Sequence, residues 1–237
     1  MATTIDPKEV EKFSKLSSTW WNENGPLKPL HKMNPCRVKF VRDQIYSHFN
    51  CDSLEGLNII DVGCGGGLLS EPLARLDGNV TGVDATEKNI VVAKEHAKLM
   101  NLNIEYLHCE ASTLVDQGRK FDVVIALETI EHVSDVDQFM QDLSKLMTEN
   151  GIIILSTINK TAKSFLFAIV GAEYVLRWLP KGTHDWHKFL KPSEVVIAAE
   201  KHNLKAKSIT GMTFNPMKNA WNLSEDLDVN YFVALTR

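Results

Sequence analysis

Five short, nearly unbroken apolar runs, separated by stretches with helical spacing, constrain this chain more than any other feature. They are LNIIDV from Leu57, VTGVD from Val80, IEYLH from Ile104, FDVVIAL from Phe121 and IIILST from Ile152. A strand apolar at every position offers no face to water, so it belongs inside a mostly parallel sheet with helices on both sides. Between the runs, helices are expected through Ala74 and Leu76 to a break at Gly78, over residues 87–100, and over 135–147 up to Asn150-Gly151. The fold class is therefore α/β and Rossmann-like.

Two helices precede the runs. Asp6, Pro7 and Glu9 are a helix-start signature, followed by Val10, Phe13, Trp20 and Trp21. Asn34-Pro35 repeats the signal, and Val38, Val41, Ile45 and Phe49 line one face of the second helix. After the runs come an apolar helix near 164–179, a helix near 193–201, and strands near 205–210 and 229–235 that pair as an edge hairpin. No repeat or linker divides the chain. It reads as one domain over 1–237, with a helical cap (1–50), a cofactor-binding core (51–160), an apolar helical insertion (161–190) and a C-terminal helix with edge strands (191–237).

The 237 residues are 44% hydrophobic and 24% charged, which supports a packed core and excludes a disordered chain. The net charge of -4, with no concentrated Lys/Arg face, argues against nucleic acid as a partner. Cys36, Cys51, Cys64 and Cys109 match neither a zinc nor a disulfide spacing and are expected as free thiols. The N-terminus lacks the layout of a secretory signal, and no apolar run is long enough to span a bilayer. These features read as a soluble, intracellular protein.

The chemistry concentrates after the first strand, in D61-V-G-C-G-G-G67, and at Asp84 after the second. Parallel sheets bind ligands beyond the carboxyl ends of their strands, where glycines allow a close backbone approach. A dinucleotide fingerprint needs a third glycine at position 68, where this chain has Leu68. The loop also begins with Asp61. A carboxylate there repels a diphosphate but suits the positive amine and sulfonium of S-adenosylmethionine, while Asp84 can accept both ribose hydroxyls. The pattern is that of a methyltransferase. Glu110, after the third strand, is either an acceptor for the adenine amino group or a surface acid.

After the fourth strand comes E128-T-I-E131-H132. On a helix these three side chains would share one face at the catalytic edge. Two carboxylates and an imidazole suit Mg, Mn or Zn. Acids at a helix start and a capping histidine are the alternative.

These residues, with others along the chain, resemble the ubiquinone-biosynthesis O-methyltransferases. The likeness runs through Trp20-Trp21, KPLHKMNPCR (28–37), DVGCGGGLLSEPLAR, ETIEHV, STINKTAKS, VGAEYVLRWLPKGTHDWHKF, GMTFNP and DVNY. It implies a seven-stranded class I methyltransferase fold and O-methylation of polyprenylated phenol and catechol intermediates. It implies cofactor contacts at Arg37, Gly63, Asp84 and Leu127, and a divalent metal, magnesium foremost, at Glu128, Glu131 and His132. It also implies contact with other proteins of that biosynthesis. Phe214 departs from the tyrosine that many members carry before Asn-Pro.

A phenol with a pKa near 10 must lose its proton before it attacks the methyl group. Either a bound divalent ion stabilises the anion, or Glu128 or His132 acts as catalytic base. A prenylated substrate lives in a bilayer, and the apolar residues 164–181, flanked by Lys163 and Lys181 and carrying Trp178, are expected to contact the lipid surface. The expected location is peripheral at the cytoplasmic membrane face of a bacterium, or at the matrix side of the mitochondrial inner membrane. A methyltransferase for another small or lipid-like substrate, and an idle cofactor-binding subunit, are the competing readings.

Overall fold

The computed structural model of the chain describes residues 3–166 and 185–237. Along the chain run α1 (Pro7–Leu16), α2 (Lys28–Phe49), β1 (Asn58–Val62), α3 (Ser70–Ala74), β2 (Asn79–Asp84), α4 (Glu87–Leu99) and β3 (Glu105–His108). Then come α5 (Ala111–Asp116), β4 (Phe121–Leu127), α6 (Val136–Leu146), β5 (Met147–Ile158), the single turn α7 (Ala162–Ser164), α8 (Pro192–Glu200), β6 (Lys205–Asn215), β7 (Ala220–Ser224) and β8 (Asn230–Thr236).

The strands form one sheet in the order β3-β2-β1-β4-β5-β8-β6-β7. β1 to β5 pair in parallel and β8, β6 and β7 antiparallel. The apolar runs are explained by two cores. Ile59, Val123, Ile125, Ile152 and Ile154 face α2 on one side of the sheet. Their sequence neighbours Ile60, Val124, Ala126, Ile153 and Leu155 face α6 and α8 on the other. Alternate side chains point to opposite faces, and both faces are dry.

Several expectations are corrected. The sheet has eight strands rather than seven, because Ala220–Ser224 adds an edge. β6 and β8 pair antiparallel as expected, but not as an edge hairpin: β8 lies between β5 and β6, consistent with the burial of Asn230 through Leu235, and β7 is the edge. The second helix begins at Lys28 and runs through Pro35. Asn34 does not cap it, since its amide donates to the Leu68 carbonyl at 2.6 Å. Asn150-Gly151 lies within β5 rather than after a helix. Residues 167–184 lie outside the described residues, and with them all but the start of the helix expected near 164–179; Phe165 and Leu166 at that start are exposed.

The carboxyl ends of β1, β2, β4 and β5 reach the same edge. Strand order reverses direction between β1 and β4, which opens a crevice at that point. Asp61, Asp84 and Glu128 all belong to that edge.

Candidate active site

The loop after β1 turns on glycines with positive φ, among them Gly63 at 76° and Gly65 at 56°. A Cβ on Gly63 would lie 2.5 Å from the Thr129 hydroxyl, so the loop after β4 packs where only glycine fits. A Cβ on Gly65 would collide with the Trp20 ring. The glycine loop therefore admits an aromatic side chain of the N-terminal region, which the motif alone does not reveal.

Asp84 ends β2, where its carboxylate accepts from Gly65 N at 2.9 Å, Thr86 N at 2.7 Å and Asn89 Nδ2 at 3.2 Å. Burial raises its pKa, and these three donors oppose the rise. Asp61 is buried and accepts from Ser70 Oγ at 2.6 Å. Burial pushes its carboxyl up to about 6, against the pull of the Ser70 bond and Arg37.

Arg37, on α2, is buried, and its Nε has no hydrogen-bond partner among the described residues. Burial lowers its pKa while Glu128, Asp61 and Glu131 oppose the fall. Arginine stays charged regardless, so a buried guanidinium with an unsatisfied donor faces the cavity. A carboxylate-bearing ligand would satisfy it. Leu127 is buried at the end of β4, and its carbonyl accepts from Thr129 Oγ1 at 3.1 Å.

The residues after β4 do not form the expected helix. Glu128 takes a left-handed φ of 53°, and Ile130–His132 make one 3₁₀ turn. Helix α6 starts later, at Val136, where Asp135 is the N-cap. The three side chains consequently take separate partners. Glu128 Oε1 accepts from Ser156 Oγ at 2.7 Å, and the buried Glu131 accepts from Thr157 Oγ1 at 2.9 Å. Burial, with Glu128 nearby, raises the Glu131 pKa.

His132 Nδ1 pairs with Glu9 Oε2 at 2.9 Å, and its ring meets Phe13 edge-on at 5.1 Å. Burial raises the Glu9 pKa, but hydrogen bonds from His132 and Lys12 outweigh it and hold the carboxyl at about 2. Among the described residues, no group of three or more His, Cys, Asp or Glu side chains is placed to hold a metal ion. The expected ligand set Glu128, Glu131 and His132 does not fit one in this arrangement.

A cavity of about 810 Å³ connects these features. Its lining includes Arg37, Asp61, Gly63, Asp84, Leu127, Glu128, Glu131 and His132, so it gathers every expected site residue. Apolar side chains, among them Leu30, Met33, Ile158, Phe214 and Trp221, make much of the rest. Phe214 lies tilted against Trp221, ring centroids 5.6 Å apart. Glu110 is held by the N-terminus, accepting from Thr3 Oγ1 at 2.7 Å and Thr4 N at 3.1 Å. The four cysteines are free.

The sequence reading missed three contributors. Glu9 reads as a helix-start acid, yet it reaches His132. Asn89 reads as an ordinary helical residue, yet it donates to Asp84. Lys188 anchors α1 through Asp6 at 2.9 Å. Glu9 and Lys188 act across chain separations that local spacing cannot register, whereas Asn89 lies five positions from Asp84 and reaches it across the turn between β2 and α4.

The chain matches the family model described as a methyltransferase domain over residues 53–221. It is 49% identical to the ubiquinone biosynthesis O-methyltransferase of Pelagibacter ubique, with 99% of both chains covered. It is 48% identical to the mitochondrial ubiquinone biosynthesis O-methyltransferase of Arabidopsis thaliana, covering 99% of this chain and 75% of that one. Among solved structures, its fold resembles magnesium protoporphyrin IX methyltransferase of Synechocystis with bound SAH. There the TM-score is 0.66 at 20% identity, covering 97% of this chain and 99% of that one.

Proposed function

The chain belongs to the ubiquinone biosynthesis O-methyltransferase family, and from that premise we propose that it methylates a phenolic hydroxyl of polyprenylated catechol and phenol intermediates. The observation that carries this reading is the single cavity joining the glycine loop, Asp84 and Arg37 to the turn at Glu128–His132. S-adenosylmethionine supplies a sulfonium methyl group to the attacking oxygen. The residues present fit that cofactor, because a buried guanidinium with an unpaired Nε awaits a carboxylate and one cavity runs from it past Gly63 and Gly65 to Asp84.

In this reading Asp84 accepts the ribose hydroxyls, Arg37 meets the amino-acid carboxylate, Asp61 faces the amine, and Gly63 and Leu127 contribute backbone. The apolar walls hold the substrate ring and exclude water, bringing its oxygen to about 3 Å from the methyl carbon, an alignment that supplies several kcal/mol. Glu9 is ionised and only accepts, so it accepts a hydrogen bond from Nδ1–H of His132, which stays protonated there and leaves Nε2 as the basic nitrogen. His132 then removes the phenolic proton as the catalytic base, with Glu128 beside it. Magnesium, zinc or manganese at Glu128, Glu131 and His132 would require Glu9 and Thr157 to release their partners.

Residues 164–181 are the proposed lipid contact, supported by the exposed Phe165 and Leu166 at their start. No helix among the described residues is long and apolar enough to cross a membrane. Residues 1–237 are read as one methyltransferase unit. Calorimetry tests the cofactor class: S-adenosylhomocysteine should bind stoichiometrically and NADH should not. The reverse preference would overturn the reading.

A further inference from the structure

The amide of Asn89 ties the N-terminal region to the carboxylate at the end of β2. It is 1% exposed, in the first turn of α4. Its Oδ1 accepts from Trp20 Nε1 at 2.9 Å and from Ser17 Oγ at 2.6 Å, residues 69 and 72 positions away. Its Nδ2 donates to Asp84 Oδ1 at 3.2 Å.

The polarity of this bridge is forced. An indole nitrogen only donates and an ionised carboxylate only accepts, so the link needs an acceptor at one end and a donor at the other. A primary amide provides both. An aspartate at position 89 would oppose Asp84 with like charge. A leucine would leave the buried indole N–H without a partner.

Trp20 carries the link onto the glycine loop. Its ring lies so close to Gly65 and Gly66 that a Cβ on either would collide with it. Trp21 adds a second clasp: its Nε1 donates to the Gly66 carbonyl at 3.0 Å, and its ring stacks on His96 with centroids 3.4 Å apart. Gly65 N donates in turn to Asp84 Oδ2 at 2.9 Å. Loop, carboxylate, amide and tryptophan form a closed circuit of contacts.

We propose that Asn89 is a positioning residue coupling the N-terminal cap to the cofactor's ribose, so that closure of residues 7–21 and retention of cofactor are one linked equilibrium. This rests on the reading of Asp84 as the ribose ligand. Ribose hydroxyls on Asp84 hold the carboxylate where it accepts from Asn89, and Asn89 then holds Trp20 against the loop. Linkage is reciprocal, so a closed cap retains cofactor as much as cofactor closes the cap.

Amide hydrogen exchange of residues 7–21, with and without S-adenosylhomocysteine, tests the coupling alongside calorimetric affinity. The proteins are wild type, Asn89→Ala, Trp20→Phe and the double variant. Trp20→Phe keeps an aromatic ring against the loop while removing the indole N–H, so it preserves the test if Asn89→Ala folds poorly. Wild type should gain about fivefold or more in cap protection on binding. Each single variant should lose most of that gain and bind about tenfold more weakly, and the two losses should not add in the double variant. A purely structural Asn89 would lower protection in the free protein while leaving the ligand-induced gain intact, and that result overturns the proposal. Additive losses overturn it as well. If wild type binds no S-adenosylhomocysteine, the proposed function falls with it; if wild type binds and the variants keep the gain, this inference falls alone.

Discussion

Glu9 and His132 are 123 positions apart in sequence, yet Glu9 Oε2 lies 2.9 Å from His132 Nδ1. The first helix thus supplies the carboxylate that orients an imidazole at the carboxyl edge of the sheet. Glu9→Gln removes the charge and keeps the size. It should lower kcat about ten- to a hundredfold, the scale of a lost charged hydrogen bond supporting a base, with cofactor affinity little changed. Steady-state kinetics beside calorimetry checks this, and an unaltered kcat would remove His132 from the base role.

Asp84 carries the ribose assignment. Asp84→Ala should weaken S-adenosylmethionine binding by about 2–3 kcal/mol, because hydrogen bonds to a charged acceptor are lost. Calorimetric affinity equal to wild type would place the ribose elsewhere.

The strands were the most legible part of the sequence, because a two-sided core leaves no polar alternation to confuse with a helix. Ile59 and Ile60 read as buried and are, on opposite faces. β7 was not legible: AWNLS is half-buried and forms no apolar run. Pro35 misled because a cap signal was read where Asn34 in fact bonds Leu68 across the fold. In the site, the positions of Asp84 and the glycine loop were legible because they lie at the ends of neighbouring parallel strands. Glu9 and Asn89 were not, because their partners arrive through tertiary packing. Glu128 was misread as helical, since nothing in ETIEH announces a left-handed residue before the turn.

Asp61 makes the free protein's stability depend on pH. Its carboxyl is raised to about 6 by burial. A raised folded-state pKa means the folded form holds the proton more tightly. The stability it contributes is complete below about pH 4, the unfolded value, and is lost as pH rises through about 6. Cofactor-free wild type should therefore lose stability relative to Asp61→Asn between pH 4 and pH 8, by no more than about 3 kcal/mol. Denaturant titrations of both proteins across that range check the sign, and a difference that stays constant would contradict the buried, shifted Asp61.

Residues 164–181 should mediate contact with anionic lipid. Wild type should float with anionic vesicles. A variant with Phe165, Phe167 and Trp178 changed to Ser should remain in the dense fraction while still binding S-adenosylmethionine. Equal flotation of both would place the lipid contact elsewhere.

The central claim is methyl transfer to a phenolic oxygen. The direct measurement uses S-adenosylmethionine with an isotopically labelled methyl group and a short-chain prenylated catechol, with the product located by NMR. The account predicts label in an aryl methyl ether, formed in step with S-adenosylhomocysteine and lost in His132→Ala. Label on a ring carbon, or no transfer by a protein that binds the cofactor, would contradict it.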